Sequence, residues 1–363
     1  MTSPIITEAV RTLVDRRDLT RLEAAAAMDA IMSGAATNAQ IAAFLTALRM
    51  KGETVEELIG FAEVMRSKVA RVNTHTRAGE VAGLTGTDRE MLIDTCGTGG
   101  DASGTFNIST ATAFVVAGAG LKVAKHGNRS MSGLTAASLC GSADVVETLG
   151  VNLELTAAQV GRCVDEVGIG FLYAPLLHTA MKHVMAARRE VGFRTVFNLL
   201  GPLTNPAGAN AQIIGVAAAA LTEPIARVLA ELGTLRAFVV HGADGLDEIS
   251  NTGESRVSET REGVVRTFSV SPEDFGLPRA SITDLRGGDR EQNAQIIRDV
   301  LAGERGPRRD IVLMNAAAAL VVGAHARDLK EGAQLAARAI DTGAARDKLD
   351  QLIALSRKLA EEK

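Results

Sequence analysis

The sequence predicts an α/β protein: a small all-helical N-terminal domain followed by a larger α/β domain with a mostly parallel central sheet. Three observations carry that expectation. The first 70 residues repeat helix-start signals with no strand pattern between them. From residue 91 short apolar runs alternate with alanine-rich helical stretches. The glycine-rich and charged motifs nearly all follow one of those apolar runs, where a parallel sheet gathers its loops.

In the helical unit, Thr20-x-x-Glu23, Thr37-x-x-Gln40 and Thr54-x-x-Glu57 are capping boxes, each ahead of an apolar-periodic run. In "IAAFLTALRMKG" the residues Ile41, Phe44, Leu45 and Leu48 share a helix face that ends at Gly52. The unit is placed at 1–72, a polar hinge "NTHTRAGEVAGLTGTDRE" at 73–90, and the α/β domain at 91–363. Within that domain "MLIDTC", "LKVAKHG", "AQIIGVA", "RAFVVHG" and "DIVLMNA" read as buried strands. Helical texture covers 110–119, 157–167, 222–233 and 291–303. "NAAAALVVGAHA" is too short to span a membrane and reads as a buried helix.

Composition narrows the function. The chain has 363 residues, 46% hydrophobic and 23% charged, as in ordinary globular proteins. A net charge of −4 argues against a general nucleic-acid binder. Cys96, Cys140 and Cys163 are scattered, without thiolate-metal spacing, which suits a reducing cytoplasm. The N-terminal "MTSPIITEAVRTLVDRRD" lacks the apolar core of a signal peptide.

The chemistry gathers in a few motifs. "CGTGGDASGTFNIST" (96–110) fits a dinucleotide fingerprint loosely, through Gly97, Gly99 and Ala102. That fingerprint needs an acid about 20 residues on, and no Asp or Glu occurs between Ala102 and Ala143. The stretch reads instead as an anion cradle in two parts. Gly97, Thr98, Gly99 and Gly100 let backbone N–H groups approach phosphate oxygens, and Asn107, Ser109 and Thr110 stand where a helix begins. Lys122, Lys125, His126 and Arg129 follow as cations, with Gly127 favouring close backbone approach and Asn128 suited to a neutral nitrogen or carbonyl. In "HGADGLDEIS" the adjacent Asp247 and Glu248 are ordinarily a solvated turn; beside a polyphosphate cradle they suit hydrated Mg²⁺. In "HTAMKHVMAARREVGFRTVFNLLGPLTNP" a helical stretch carries His178, Met181, Arg188 and Arg189, and an arginine fork matches a planar carboxylate. No nucleophile–base pair is recognisable, so positioning and charge stabilisation are left to lower the barrier.

Together "GTGGD…TFNIST", "AKHGNR", "GSAD", "HGADGLDEIS" and "FNLLGPLTNP" resemble the anthranilate phosphoribosyltransferase family of tryptophan biosynthesis, over nearly the whole chain. The resemblance implies a homodimer through the helical domain, which would take in about 175–190 as well, with substrates in the cleft between the domains. It implies transfer of phosphoribosyl from phosphoribosyl pyrophosphate to the anthranilate amine, with Mg²⁺. Carried over, Gly97, Thr98, Gly99, Gly100 and Asp101 form the diphosphate loop; Thr105, Asn107, Ser109, Thr110, Lys125, Gly127, Asn128 and Arg129 complete the phosphoribosyl pyrophosphate set. Gly97, His126, Asn128, His178 and Arg188 are implied anthranilate contacts, Arg188 on the carboxylate, and Ser109, Asp247 and Glu248 the metal site. Two departures stand out. The segment from Arg129 to Gly141 is about five residues longer, with the excess near Leu134–Ser138, leaving open which of Ser130, Ser132 and Ser138 meets the ribose phosphate. Met181 replaces a usual aromatic. The rivals are a pyrimidine nucleoside phosphorylase, which shares single motifs, and a non-catalytic relative binding nucleic acid through the phosphate groove.

Overall fold

The structure, a computed structural model, describes residues 2–74, 90–130 and 140–362. Leu134–Ser138, where an insertion is expected, Ser132 and most of the 73–90 hinge lie outside the described residues.

Four helices open the chain: α1 (Pro4–Val14), α2 (Arg21–Met32), α3 (Asn38–Lys51) and α4 (Val55–Lys68). All three capping boxes form, at Thr20, Thr37 and Thr54. The bundle closes on an edge-to-face pair, Phe44 and Phe61, 5.9 Å between centroids. A buried Glu57 accepts the Leu19 N–H at 2.9 Å and pairs with Lys51 at 3.0 Å, tying the start of α2 to α3 and α4.

The second domain carries β1 (Leu92–Asp94), α5 (Ile108–Gly118), β2 (Lys122–Gly127), α6 (Ser142–Leu149), α7 (Ala157–Val167) and β3 (Ile169–Tyr173). Then come α8 (Ala174–Leu177), α9 (Met185–Val191), α10 (Val196–Leu203), β4 (Ala211–Gly215), α11 (Thr222–Glu231) and β5 (Arg236–Gly242). The chain ends with β6 (Ser255–Arg261), β7 (Val264–Val270), α12 (Arg290–Leu301), α13 (Pro307–Val322), α14 (Leu329–Asp341) and α15 (Ala344–Glu361). The sheet runs β3-β2-β1-β4-β5-β6-β7, parallel through β5 and antiparallel beyond it.

Side-chain alternation along the strands sets the layers. Ile213, Phe238 and Val240 enter one core with α5, α7 and α12–α15, while Ile214, Val216, Ala237 and Val239 enter the other with α2–α4, α10 and α11. The second core also holds Val184 and Ala187, so the segment around α9 packs with the N-terminal helices.

One expectation needs correction, and two features lie beyond the expected elements. "DIVLMNA" is the first half of α13, not a strand: Pro307 opens the helix at its first turn, and burial of every residue from Ile311 to Val322 removes the periodicity that separates helix from strand. "IGFLY" is β3, a short buried strand directly after α7. The β6–β7 hairpin has a polar outer face that hides its apolar alternation in the sequence; it turns through Glu262 and Gly263, at φ 52° and 80°.

Candidate active site

The chain runs β1, β2, β3 to one side and then restarts at β4 on the other, so the order reverses between β1 and β4. A parallel sheet splays its loops apart at that point and leaves a crevice beyond the strand ends. The glycine-rich loop leaves β1 there. Asp94, the last residue of β1, is buried and accepts the His126 N–H at 3.1 Å and the Asn205 amide at 2.7 Å. Burial pushes its carboxyl up to about 6, partly offset by Lys125 and these hydrogen bonds. Asn205 also donates to the Ala124 carbonyl at 2.9 Å, so one buried pair joins β1, β2 and the "LTNP" turn.

From there the loop is held open against β4. Thr98 N–H donates to the Gly215 carbonyl at 2.8 Å, and a Cβ on Gly97 would stand 3.3 Å from Asp247 Oδ2. Gly99 and Gly100 take φ 64° and 89°, and Ala102, two residues on, takes 55°, left-handed backbone of the kind that lets N–H groups close on an anion. Asp101 accepts the Ser103 hydroxyl at 2.5 Å, which in turn lies 3.3 Å from Thr105 Oγ1. The helix expected near Ser109 starts at Ile108. Thr110 is fully buried and its hydroxyl lacks a partner among the described residues.

Lys125, Ser109 and the acid pair come together. Lys125 Nζ, buried, lies 3.3 Å from Ser109 Oγ and from the Thr95 carbonyl. Burial first, then Asp247, pushes the Glu248 carboxyl well up, opposed by Lys125 and by the backbone at Ser109. Asp247 is raised likewise, by burial and by Asp101, while Arg194 opposes the shift. Two acids that resist ionising side by side are relieved by a divalent cation, and among the described residues no third His, Cys, Asp or Glu joins them as a metal cage. That donor set fits Mg²⁺, which keeps most of its ligands as water and phosphate.

On the other side of Lys125, His126 and His178 are buried with Nε2 atoms 3.1 Å apart. His178 is not on a continuous helix: it caps α8 and leads into a 3-10 turn over Thr179–His183. Arg188 is half-buried on α9, 3.5 Å from Asn198 Oδ1 and 5.4 Å above the Phe197 ring. Burial, then the neighbouring Arg194, lowers its pKa to about 10. Two crowded guanidinium groups favour an anion between them.

Gly127 has a packing reason: a Cβ there would meet Phe171 Cζ and Ser142 Oγ at 2.4 Å. Asn128 is exposed and accepts the Arg129 N–H at 2.8 Å. Arg129 turns to the protein: it donates bidentately to Glu147 at 2.7 and 2.8 Å, to Asp144 at 3.1 Å and to the Tyr173 hydroxyl at 3.0 Å. Asn107 reaches Asn293 at 3.1 Å, and Met181 lies half-buried against the helical core.

Known proteins share this sequence and fold. Residues 89–346 match the model of the glycosyl transferase family, a/b domain, and 7–69 that of its helical bundle domain. An anthranilate phosphoribosyltransferase of Symbiobacterium thermophilum is 56% identical over 353 residues, 97% of this chain and 98% of the relative. The chain belongs to the anthranilate phosphoribosyltransferase family. A family member of Thermus thermophilus superposes with TM-score 0.86 at 40% identity, covering 96% of this chain and 99% of that one. The Saccharomyces cerevisiae enzyme in complex with PRPP and Mg superposes with TM-score 0.83 at 27% identity, covering 99% of both chains.

Sequence reasoning missed several residues of this candidate site. Arg194 lies so close to the loop that a Cβ on Gly100 would collide with its guanidinium, and it donates to the Thr98 carbonyl at 2.8 Å. It stands inside a quoted motif, where a second fork near Arg188 was a usable signal. Asp94 also left one, an acid ending an otherwise apolar run. Asn205 left none beyond its turn.

Proposed function

We propose that the protein transfers the 5-phosphoribosyl group of phosphoribosyl pyrophosphate to the amine of anthranilate, releasing pyrophosphate. One observation carries this reading. The glycine-rich loop at the sheet's switch point stands against Asp247, beside Glu248, and Arg194, which bonds the Thr98 carbonyl of that loop, neighbours the half-buried Arg188. An anion cradle linked through Arg194 to a second arginine fork suits one phosphorylated and one carboxylate-bearing substrate.

The loop N–H groups of 97–100 and Lys125 take the diphosphate and ribose-phosphate charge, and Asp247, Glu248 and Ser109 would hold the metal. Bound there, Mg²⁺ supplies positive charge to the departing pyrophosphate. Arg188 holds the anthranilate carboxylate and so points the amine at C1. The nitrogen lone pair forms the C1–N bond as the C1–O pair leaves with pyrophosphate, and the amine proton passes to solvent. His126 and His178, kept neutral by burial, line the pocket without adding positive charge. The four hydrogen bonds of Arg129 support a role in bracing β2 against α6 and β3 rather than in holding phosphate.

The helical unit at 1–72, joined by about 175–190, and the domain at 91–363 form the two walls of the cleft. Exposed Val14, Leu22 and Met50 on α1–α3 support homodimer formation through the helical unit. The three free thiols support a cytoplasmic setting. Anthranilate fluorescence decay, dependent on protein, Mg²⁺ and phosphoribosyl pyrophosphate together, tests the activity. No decay at micromolar protein overturns it, and a sedimentation profile of monomers overturns the dimer.

A further inference from the structure

We propose that Asn315 is a positioning residue for the metal site, clamping the Asp247–Glu248 loop from behind through the backbone of Ile249. This rests on the reading of Asp247 and Glu248 as the Mg²⁺ pair. Asn315 sits mid-way along α13, which is otherwise apolar over Ile311–Val322, and its side chain is buried. A lone amide in such a helix is unfavourable unless all its hydrogen bonds are made. Here they are. Oδ1 accepts the Ile249 N–H at 3.0 Å, and Nδ2 donates to the Ile249 carbonyl at 2.9 Å and to the Ile311 carbonyl at 2.9 Å. The amide therefore takes both polar backbone groups of the residue next to Glu248, as a neighbouring strand would.

The need for a clamp follows from the chain path. The loop carrying Asp247 and Glu248 has no regular ladder to hold it, since β5 ends at Gly242 and β6 begins at Ser255. Further ties brace the loop. Asp244 accepts the Leu246 N–H at 3.2 Å, the Ser250 hydroxyl at 2.5 Å and the Thr252 hydroxyl at 2.6 Å. Asn251 donates to the Pro307 carbonyl, at the start of α13, at 2.9 Å. Because α13 also packs on α5, which carries Ser109, one rigid helix sets the spacing between Ser109 and Glu248.

The test uses the full chain with Asn315→Leu, near-isosteric but unable to bond, and Asn315→Asp, which puts a carboxylate oxygen against the Ile249 carbonyl. Ser356→Ala, removing a buried hydroxyl bonded to Asn152 N–H far from the site, is the control for lost stability alone. Binding is read without turnover, by titrating Mn²⁺ in the presence of pyrophosphate and following free Mn²⁺ by electron paramagnetic resonance. The dissociation constant should rise on the order of tenfold in either Asn315 variant and stay put in the control. Half-saturating Mg²⁺ in the transferase assay should rise in parallel, with the anthranilate KM within about twofold of wild type. Unchanged metal affinity in whichever Asn315 variant folds, or equal shifts in metal and anthranilate constants, overturns the clamp. An inactive wild-type protein overturns the proposed function instead, and the Mn²⁺ titration still reads the clamp.

Discussion

His126 and His178, 52 positions apart in sequence, meet Nε2 to Nε2 at 3.1 Å inside the protein. The contact joins the end of β2 to the turn after α8. One ring must donate and the other accept, so the pair is matched only while at least one ring is neutral. Burial pushes His126 down to about 3, with His178 a second cause, and pushes His178 down to about 4.

Unfolded histidines titrate near 6.5. As pH falls from there toward the folded values, the unfolded chain binds protons that the folded pair refuses, and the pair's contribution to stability is lost. Buried Asp94, Asp247 and Glu248, all raised, act in the opposite sense. The prediction is therefore a difference: the Tm of wild type relative to a His126→Gln/His178→Gln protein should be most favourable at pH 7 and decline steadily toward pH 4. A pH-independent difference would show that the pair does not titrate as described.

Arg188 tests the carboxylate clamp. Arg188→Ala should raise the anthranilate KM on the order of tenfold to a hundredfold, the worth of a charge-assisted hydrogen bond pair, and the phosphoribosyl pyrophosphate KM by less than about threefold. Steady-state kinetics with each substrate varied in turn decides it. Equal effects on both constants contradict the assignment.

Gly215 tests the crevice geometry. A Cβ there would stand 1.5 Å from the Asp247 carbonyl oxygen, and a backbone atom cannot swing aside as a side chain can. Gly215→Ala should displace the acid loop and lower kcat/KM by roughly a hundredfold, as ångström-scale misplacement does. Gly253→Ala, with open space around its Cα, should leave the rate near wild type.

Glu57 tests the helical unit. Glu57→Ala strands the Leu19 and Thr54 N–H groups and takes one partner from a nearly buried Lys51. Unfolding by urea should show a loss of about 3 kcal/mol. A loss below about 1 kcal/mol would mean the local backbone finds other partners.

Local signals carried the sequence reading where the physics is local. Thr20, Thr37 and Thr54 announce their helices because a capping box closes within four residues, and the 96–110 loop announces an anion because its glycines and missing acids are consecutive. The same chain order placed Lys125 and the Asp247–Glu248 pair just after strand-like runs. What is not local stayed hidden. "DIVLMNA" reads alike as strand or helix because total burial erases periodicity. Arg194 over Gly100, Asn205 on Asp94 and Asn315 on Ile249 are pairings across about 66 to 111 residues, made only when the sheet reverses its order between β1 and β4. The sequence by itself determined the residue types the chemistry needs and the short elements that carry them. Tertiary structure alone decided which of them face one another, because burial raises the acids, lowers the histidines and crowds the arginines only once the two cores close around them.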